Sequence, residues 1–511
     1  MSEKSDIQGL SRRGLLAGLG ATAATTLAAG AAAMPSAEVK SWDITTDVLI
    51  AGSGAAGISA ALEASAAGAK VLVIESLLKP GGSSALSGGV IYAGGGTSLQ
   101  RSLNIKDSPE AMYNFIVSAG GVHQQEDKIQ LYCEQSVDHF DWLFDQGVPY
   151  LQKFTKAKGL PMGDESLYFS GNELAWPARE QATPAPRGHV PGVPGMNGGR
   201  ALMEALLRTA EAQGVRMQVL TSGERLIVES DGRVAGMLVN VNGVRKSIRA
   251  RRGIVLACGG FIHNREMLQR YAPKLYDCSV PWASAGDLGA GINMGIAVGA
   301  EALRMHEGFA IAPIYPPENV ISGIVVNASG QRFVSEESYH AVMGNSIAYH
   351  QGGKAWLITD NRSSYQFKQD NFLAVAKGNS IGDVANQLGL PKGALQNTVA
   401  YYNRYAQNGT DPMFQKSRDF LRPLQGPPYK AWDLSVDQAF FASHTFGGLH
   451  TRTSGQVVNS FGENIPGLFA AGRNTAGLPV APYIASGISV GDCTFFGRQA
   501  GKSVAGKGVS A

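Results

Sequence analysis

The chain has 511 residues, 44% of them hydrophobic and 17% charged, which fits a well-buried globular protein and excludes a disordered one. At this length two domains are expected. The net charge is only +3 and no basic stripe stands out, so nucleic acid is not an expected partner. The four cysteines form no C-x-x-C pair and lie at no metal-ligand spacing from a histidine, so we expect no metal site.

Residues 1–34 have the pattern of an export signal. A polar start leads into Ser11-Arg12-Arg13-Gly14-Leu15-Leu16, and a mildly apolar run follows to Ala33. Paired arginines before such a run are the twin-arginine pattern, which predicts export of the folded protein by the twin-arginine machinery to the periplasm or beyond. The alternatives are a disordered tail, with a cytoplasmic protein, or an uncleaved anchor. No later stretch reaches the ~18 apolar residues of a membrane helix.

The most informative stretch is Asp47-Val48-Leu49-Ile50-Ala51-Gly52-Ser53-Gly54-Ala55-Ala56-Gly57. It predicts a buried strand, a tight turn and the start of a helix, and a second apolar run ends in Glu75. Gly52 permits the turn, Gly54 lets the backbone approach a pyrophosphate, and Gly57 lets the helix pack closely on the strand. An acid at the position of Glu75 is expected to bind a ribose hydroxyl. The motif indicates a dinucleotide site but does not distinguish NAD from FAD.

The following segments alternate between glycine-rich and regular structure. Residues 79–97 are rich in glycine and serine and predict a packed loop that lies against a ligand. Helices are predicted at Glu110 to Ile116, at Val137 to Phe144 and from Leu202. Residues 216–254 predict a small β-meander, because turn sequences at Asp231-Gly232 and Asn242-Gly243 separate strand-like runs.

Two later strand-and-glycine units indicate a discontinuous domain. They are Ile254-Val255-Leu256-Ala257-Cys258-Gly259-Gly260-Phe261 and Ile465-Pro466-Gly467-Leu468-Phe469-Ala470-Ala471-Gly472-Arg473. We therefore predict an α/β fold in which a Rossmann-like domain is assembled from residues 43–274 and 432–507. Residues 275–431 would be an inserted α+β cap domain, with a strand at 355–359 and a helix from Ala394 to Tyr405.

Several motifs together resemble the fumarate reductase/succinate dehydrogenase flavoprotein superfamily, and within it the 3-ketosteroid dehydrogenases that desaturate the 4,5 bond. The resemblance covers residues 43–505. The motifs are the Gly52/Gly54/Gly57 turn with Glu75, Gly82-Ser83-Ser84 leading to Ser87-Gly88-Gly89, Ala257-Cys258-Gly259-Gly260-Phe261, Gly330-Gln331-Arg332-Phe333-Val334-Ser335-Glu336, His444-Thr445-Phe446-Gly447-Gly448, and Ala471-Gly472-Arg473 leading to Ser486-Gly487-Ile488-Ser489-Val490-Gly491-Asp492.

The resemblance implies that the cofactor is FAD. Some relatives attach FAD covalently through a histidine in the loop that here holds Ser83 and Ser84, so non-covalent FAD is expected. A helix beginning near Ser486 would direct its positive end toward the flavin pyrimidine ring. The residues predicted to bind FAD are Gly52, Gly54, Ala55, Ala56, Gly57, Glu75, Gly82, Ser83, Ser84, Gly88, Gly89, Gly260, Asp287, Gly472 and Ser489.

Departures from the fumarate reductases favour a ketone substrate. Those enzymes carry a proton-donating arginine after the R-F-V-x-E motif and a second arginine near the C-terminus that binds a carboxylate. Here Tyr339 and His340 follow the first motif, and Tyr483 stands about where the second arginine would. Tyr339, Tyr483 and Ser486 resemble the catalytic set of the 4,5-desaturating branch, although Tyr483 and Ser486 are one residue further apart here.

Desaturation beside a ketone needs a polarised carbonyl, a base for the α-proton and a flavin that accepts the β-hydride. We expect Tyr339 and Tyr483 to divide the first two tasks, with Ser486 bonded to one of them or to the ketone. The predicted substrate is a 3-ketosteroid or a related hydrophobic alicyclic ketone, and the electrons would pass to a separate quinone or cytochrome. The alternatives are an exported reductase of enones or α,β-unsaturated acids and an FAD-loaded electron carrier.

Other polar residues are weaker candidates. His340 would tune Tyr339 or lie at the surface, and His444 would order the Gly447-Gly448 turn. Arg473 would contact substrate or form an ion pair. The last group, with roles in the pocket or the cap hinge, is Tyr92, Arg187 and His189.

Overall fold

The structure is a computed structural model that describes residues 32–312, 321–362 and 374–506. Residues 1–31, and with them nearly all of the predicted export signal, lie outside the described residues. Among the described helices, none combines the length and the apolar character needed to cross a bilayer.

The predicted dinucleotide unit is present with its parts in order. Strand Ile44–Ala51 leads through the turn into helix Ala55–Ala66, and strand Val71–Ile74 follows. Strand Ile44–Ala51 forms because its apolar run is fully buried between layers, as is typical of parallel sheets. Gly52 has φ 106°, a left-handed conformation that favours glycine, and this lets the chain turn sharply into the helix.

A nine-stranded sheet forms the centre of the molecule. Its main path runs in the order Met34–Pro35, Thr221–Val228, Val234–Val241, Val244–Leu256, Ile44–Ala51, Val71–Ile74 and Arg216–Gln218. Strand Asn464–Ala470 pairs with Val244–Leu256, and Gln456–Val458 pairs with Asn464–Ala470. The predicted β-meander is confirmed by the three strands between Thr221 and Leu256.

One long strand, Val244–Leu256, joins two parts of this sheet. Its first half pairs antiparallel with the meander strand Val234–Val241. Its second half pairs in parallel with Asn464–Ala470, with Ile254 opposite Leu468. Strand Ile44–Ala51 runs parallel along its other edge. The C-terminal strand therefore completes the sheet that the N-terminal strand begins, which confirms the predicted α/β domain built from distant segments.

Helix Ile488–Val504 packs along the dinucleotide helix Ala55–Ala66. The two helices approach closely because a side chain at Gly497 or Gly501 would overlap the backbone of Ala56 or Ala60. The C-terminal helix begins after Gly487, as the sequence predicted, and its first turn is thereby held at the edge of the dinucleotide unit.

A second sheet lies within the predicted cap. Strands Ile324–Asn327, Ala355–Thr359, Tyr429–Asp433 and Ala374–Gly378 form it in that order. Helices Ile381–Gln387 and Ala394–Ala406 share a separate hydrophobic cluster with these strands.

The first residues of the predicted cap contact the central sheet. Helix Ala290–Ile296 packs on strand Thr221–Val228 of the central sheet. Asp287, just before this helix, therefore belongs beside the dinucleotide unit. The domain boundaries themselves stay a prediction.

The remaining elements are short strands and helices of up to 15 residues. A three-stranded sheet is formed by Val280–Pro281, Ala442–Thr445 and Gly308–Ile311. A four-stranded sheet is formed by Ile91–Tyr92, Gly188–His189, Leu167–Tyr168 and Phe154–Thr155. Ala302–Leu303 pairs with Gly448–Leu449. The other helices are Gly82–Ala85, Ser98–Ser102, Pro109–Ala119, Glu126–Glu134, Ser136–Asp145, Ala178–Gln181, Gly198–Ala212, Arg265–Tyr271, Pro273–Tyr276 and His340–Asn345, with single turns at Ser36–Glu38, Ser346–His350, Arg418–Phe420 and Gly472–Asn474.

Candidate active site

A first cavity of about 1020 Å³ opens at the carboxyl ends of the parallel strands. This is the edge at which open α/β sheets bind ligands. Ten of the predicted cofactor residues line it, namely Gly52, Gly54, Ala55, Ala56, Glu75, Gly82, Ser83, Ser84, Asp287 and Gly472. The start of helix Ala55–Ala66 faces this cavity, and the N-terminus of a helix favours the binding of an anion.

The Glu75 carboxylate is held in place by the turn opposite it. Ser53 donates to it from its backbone N–H at 3.0 Å and from its hydroxyl at 2.6 Å. On the other side the Leu77 N–H donates at 2.9 Å. The side chain is nearly buried but still lines the cavity. Its orientation is therefore set before any ligand binds, as the proposed ribose contact requires.

Asp287 and Arg473 form a buried ion pair at the inner wall of the first cavity. The Asp287 carboxylate also accepts the backbone N–H groups of Gly260 and Ile262, each at 3.1 Å. Arg473 donates a further hydrogen bond to the Ser83 hydroxyl at 2.9 Å. Of the two roles considered for Arg473, the structure therefore shows the ion pair.

The other predicted cofactor residues lie elsewhere. Gly57 and Gly260 line neither the first cavity nor the second one described below: Gly57 packs on the turn at Gly52, and Gly260 supports Asp287 from behind. Gly88, Gly89 and Ser489 line the second cavity. Ser83 and Ser84 line both, so the two cavities adjoin each other.

Two buried polar atoms show that the site suits a polar ligand such as FAD. The Ser489 hydroxyl and Nη1 of Arg473 have no hydrogen-bond partner among the described residues. Both side chains line the cavities, and Arg473 stands where the two cavities meet. Buried polar groups without partners are costly, so these atoms are expected to bond a ligand.

The second cavity has a volume of about 1350 Å³, including the part that is open to solvent, and is mainly apolar. Its apolar lining includes Val90, Leu160, Met162, Met196, Trp282, Phe309 and Ile311. Apart from Val90, which the sequence placed in the packed loop, these residues were missed by the sequence analysis, because apolar residues in connecting segments carry no distinguishing pattern. An apolar cleft with a few convergent polar groups is the usual form of a site for a hydrophobic small molecule.

All three predicted catalytic residues line this second cavity. The Tyr339 hydroxyl lies 2.6 Å from the Ser486 hydroxyl, a hydrogen bond in which either atom can donate. The ring centroids of Tyr339 and Tyr483 are 6.4 Å apart. The structure thus brings together side chains that are far apart in the sequence, and Ser486 is bonded to Tyr339.

Tyr483 lies against the first turn of helix Ile488–Val504. Its hydroxyl oxygen accepts the backbone N–H of Ser489 at 2.9 Å. Burial raises the pKa of Tyr483 to about 12, while the hydrogen bond from the Ser489 backbone N–H acts in the opposite direction. The phenol therefore keeps its proton at neutral pH, and that proton is available to a ligand oxygen.

A neighbouring segment fixes the backbone around these residues. The Ser170 hydroxyl donates to the Ser486 carbonyl oxygen, and the Ser486 N–H donates to the Ser170 carbonyl oxygen, both at 2.9 Å. The Asn172 side-chain oxygen accepts the Tyr339 N–H at 2.9 Å. One short segment therefore positions both members of the Tyr339–Ser486 pair, although no motif in the sequence pointed to it.

Two histidines also line the second cavity, His340 and His444. His340 is buried and packs its ring 4.3 Å from that of Tyr339, so it is not a surface residue. Burial lowers the pKa of His340 to about 3 and that of His444 well below its ordinary value. His444 stacks on Phe309 at 4.5 Å, so it belongs to the cavity wall beyond any role in the Gly447-Gly448 turn. Both rings are therefore neutral.

The candidates Tyr92, Arg187 and His189 are fully buried outside both cavities. Arg187 forms a two-pronged ion pair with Asp107, at 2.9 and 2.7 Å. The His189 ring bonds the Thr97 hydroxyl at 2.9 Å. These residues support the fold beneath the site and do not face it.

Comparison with known proteins supports this reading of the cavities. A family model described as FAD binding domain matches residues 47–487. A 3-oxo-5-alpha-steroid 4-dehydrogenase of Comamonas testosteroni is 30% identical over 86% of this chain and 94% of its own length. A probable fumarate reductase of Shewanella frigidimarina is 27% identical over 90% of this chain and 75% of its own length.

A solved structure is also similar. The 3-ketosteroid-delta4-(5alpha)-dehydrogenase of Rhodococcus jostii, in complex with 4-androstene-3,17-dione, is 40% identical with a TM-score of 0.88. The match covers 93% of this chain and all of that one. The similarity therefore extends over both cavities and the sheet that carries them.

Proposed function

This chain belongs to the FAD binding domain family, and on this premise we propose that it is an FAD-dependent dehydrogenase that introduces a C=C bond next to the ketone of a 3-ketosteroid or a related alicyclic ketone. The observation that carries the proposal is the apolar second cavity, which holds the Tyr339–Ser486 pair and Tyr483. The 40% identity to a 3-ketosteroid dehydrogenase supports the same substrate class.

FAD would occupy the first cavity without a covalent bond. Its phosphates would lie at the start of helix Ala55–Ala66, and Glu75 would accept hydrogen bonds from a ribose. Ser83, the Ser489 hydroxyl and Arg473 would contact the cofactor where the two cavities meet. Of the remaining predicted cofactor residues, all but Gly57 and Gly260 would shape the walls between these points.

Tyr483 is assigned to the ketone. Its oxygen already accepts the Ser489 N–H, so its own O–H is free to donate to the substrate carbonyl. A phenol that keeps its proton is a suitable hydrogen-bond donor. Its hydrogen bond to the ketone oxygen stabilises the negative charge that develops on that oxygen as the α-proton leaves.

The Tyr339–Ser486 pair is assigned to the α-proton. The two hydroxyls are 2.6 Å apart, so once the pair has released one proton its oxyanion can take the α-proton, and the shared hydrogen bond can pass that proton between the two oxygens. FAD held by the residues named above would supply the acceptor for the β-hydrogen and its electron pair, which formation of the double bond requires. The apolar walls around the substrate exclude water from the pair.

The proposal includes partners that lie outside this chain. A separate electron acceptor, a quinone or a cytochrome, would reoxidise the enzyme after each turnover. Export by the twin-arginine machinery, and so a periplasmic or secreted location, rests on the pattern at Arg12-Arg13 alone.

Anaerobic flavin bleaching tests the direction and the substrate. Purified FAD-loaded protein is mixed without oxygen with saturated 3-ketosteroids, cyclohexanones, or organic acids. We expect 3-ketosteroids to bleach the flavin and the acids to leave it oxidised. No bleaching by any ketone, with rapid reoxidation of the reduced flavin by enones or α,β-unsaturated acids, would instead establish the alternative, a fumarate-reductase-like reductase.

A further inference from the structure

Three side chains from two separate turns converge beside the loop that leads to Tyr483. They are His123, His306 and Glu307, and one ligand atom from each lies within 4.8 Å of the other two. The histidines are exposed, whereas Glu307 is buried. The two imidazole rings meet edge to face, with their centroids 5.9 Å apart.

Both histidine-bearing turns are anchored independently of any ion. The turn around His123 is held by Gln124, which donates from its side chain to the Ile116 carbonyl at 2.8 Å. The turn before Glu307 is closed by its N–H bond to the Arg304 carbonyl at 2.9 Å. A site built on fixed turns loses little conformational entropy when an ion binds.

The buried carboxylate of Glu307 links this cluster to the active-site loop. It accepts the backbone N–H of Ala481 at 3.2 Å, two residues before Tyr483. Arg304, 3.9 Å from Glu307, donates to the carbonyl oxygens of Gly477 and Pro479 in the same loop. A displacement of the Glu307 side chain would therefore shift the backbone that leads to Tyr483.

We propose that His123, His306 and Glu307 form a binding site for zinc or a similar divalent transition-metal ion, and that the bound ion fixes residues 477–483. Two imidazoles and one carboxylate form a ligand set that binds zinc and similar transition-metal ions in preference to magnesium or calcium. Water would complete the coordination on the exposed side. The site lies outside both cavities, and the proposal does not depend on the substrate.

The cysteine and histidine spacing along the sequence predicted no metal site. His123 and His306 lie in distant segments, and only the packing of the two turns brings them together. The ligand spacing of known motifs could not have revealed this arrangement.

The test measures Zn²⁺ binding to FAD-loaded protein that has been freed of metal by a chelator. Isothermal titration should give one saturable Zn²⁺ site per chain. The double variant His123→Ala/His306→Ala should bind Zn²⁺ on the order of 100-fold more weakly, because two of three ligands are gone. The matched control is His350→Ala, which removes an exposed histidine distant in sequence from the cluster and should bind as the unaltered protein does.

Hydrogen exchange tests the consequence for the loop. Saturating Zn²⁺ should slow amide exchange in residues 477–483 of the unaltered protein and of His350→Ala, but not of the double variant. Equal Zn²⁺ binding by the double variant, or equal affinity for Mg²⁺ and Ca²⁺, overturns the site. Binding without any change of exchange in this loop overturns the proposed fixing of the loop.

Discussion

Tyr483 and Tyr339 are chemically alike but sit in different surroundings. Tyr483 accepts an N–H from the first turn of a long helix, whereas Tyr339 shares a hydrogen bond with the Ser486 hydroxyl. Burial raises the pKa of Tyr483 to about 12, so its protonation state does not change across the range in which an enzyme is assayed. The two tyrosines should therefore affect the pH dependence of turnover differently.

Replacing each tyrosine by phenylalanine tests these roles. Tyr483→Phe should lower kcat about 100-fold or more at every pH from about 6 to about 10, because a ketone donor that never titrates is lost. Tyr339→Phe should lower kcat by about 100-fold to 10,000-fold and also change the shape of the pH profile, because the proton acceptor is altered. Both results are measured as steady-state turnover, across this pH range, of a ketone that bleaches the flavin.

A buried tyrosine away from the site provides the control. The Tyr150 hydroxyl is buried, has no partner among the described residues and lines neither cavity. Tyr150→Phe should leave turnover unchanged. If Tyr483→Phe and Tyr339→Phe both keep turnover within about threefold of the unaltered enzyme, the assigned roles are wrong.

At the scale of single elements, the turn between strand Ile44–Ala51 and helix Ala55–Ala66 carries the cofactor site. Gly52 has φ 106°, and a side chain there would overlap the carbonyl oxygen of Ala257, the residue that follows the neighbouring strand Val244–Leu256. The turn is thus constrained both by its own conformation and by its neighbour. Gly68, after the same helix, also has a positive φ of 79°, but it faces open space.

These two glycines make a matched pair of substitutions. Gly52→Ala should displace the turn and yield protein without bound FAD, measured as flavin absorbance per chain after purification. Gly68→Ala should keep its FAD and lose only about 1 kcal/mol of unfolding free energy. The new side chain at position 68 strains the left-handed backbone but overlaps no neighbouring atom. Full FAD occupancy in Gly52→Ala would show that the turn does not hold the cofactor.

At the scale of the whole molecule, several histidines are buried in neutral form. Burial lowers the pKa of His340 to about 3 and that of His189 to about 4, from an ordinary value of 6.5. A folded-state pKa below the unfolded one gives stability that is complete above pH 6.5 and is lost as pH falls toward the folded value. Glu336, whose pKa is lowered to about 2 mainly by Arg332 against the effect of burial, adds a further loss below its ordinary value of 4.5.

The protein should therefore become steadily less stable below pH 6.5. Each buried histidine should contribute about 1.4 kcal/mol per pH unit, since unfolding releases it to bind a proton. Denaturant unfolding of FAD-loaded protein between pH 7.5 and 4.5 measures the slope. His340→Gln should make the slope shallower, whereas the exposed-site control His350→Gln should not. A flat profile would contradict the prediction.

The sequence by itself determined the family, the cofactor and ten of the residues that line the first cavity. These features depend on local patterns, such as the glycine turn before helix Ala55–Ala66 and the apolar strand at 254–256, which adopt their shape from neighbouring residues. The predicted strand at 355–359 matches the structure, and the predicted helix from Ala394 to Tyr405 extends one residue further, to Ala406. The resemblance to a known family predicted Tyr339, Tyr483 and Ser486 as catalytic residues, and all three line the second cavity.

Only the tertiary structure decided how those residues act on one another. Tyr339 and Ser486 are separated by 147 positions, and their pairing depends on a third segment that holds both backbones. The burial that keeps His340 and His444 neutral and the ion pair between Arg473 and Asp287 likewise come from distant segments. Long-range packing sets such contacts and their dielectric surroundings, and no local pattern along the chain encodes them.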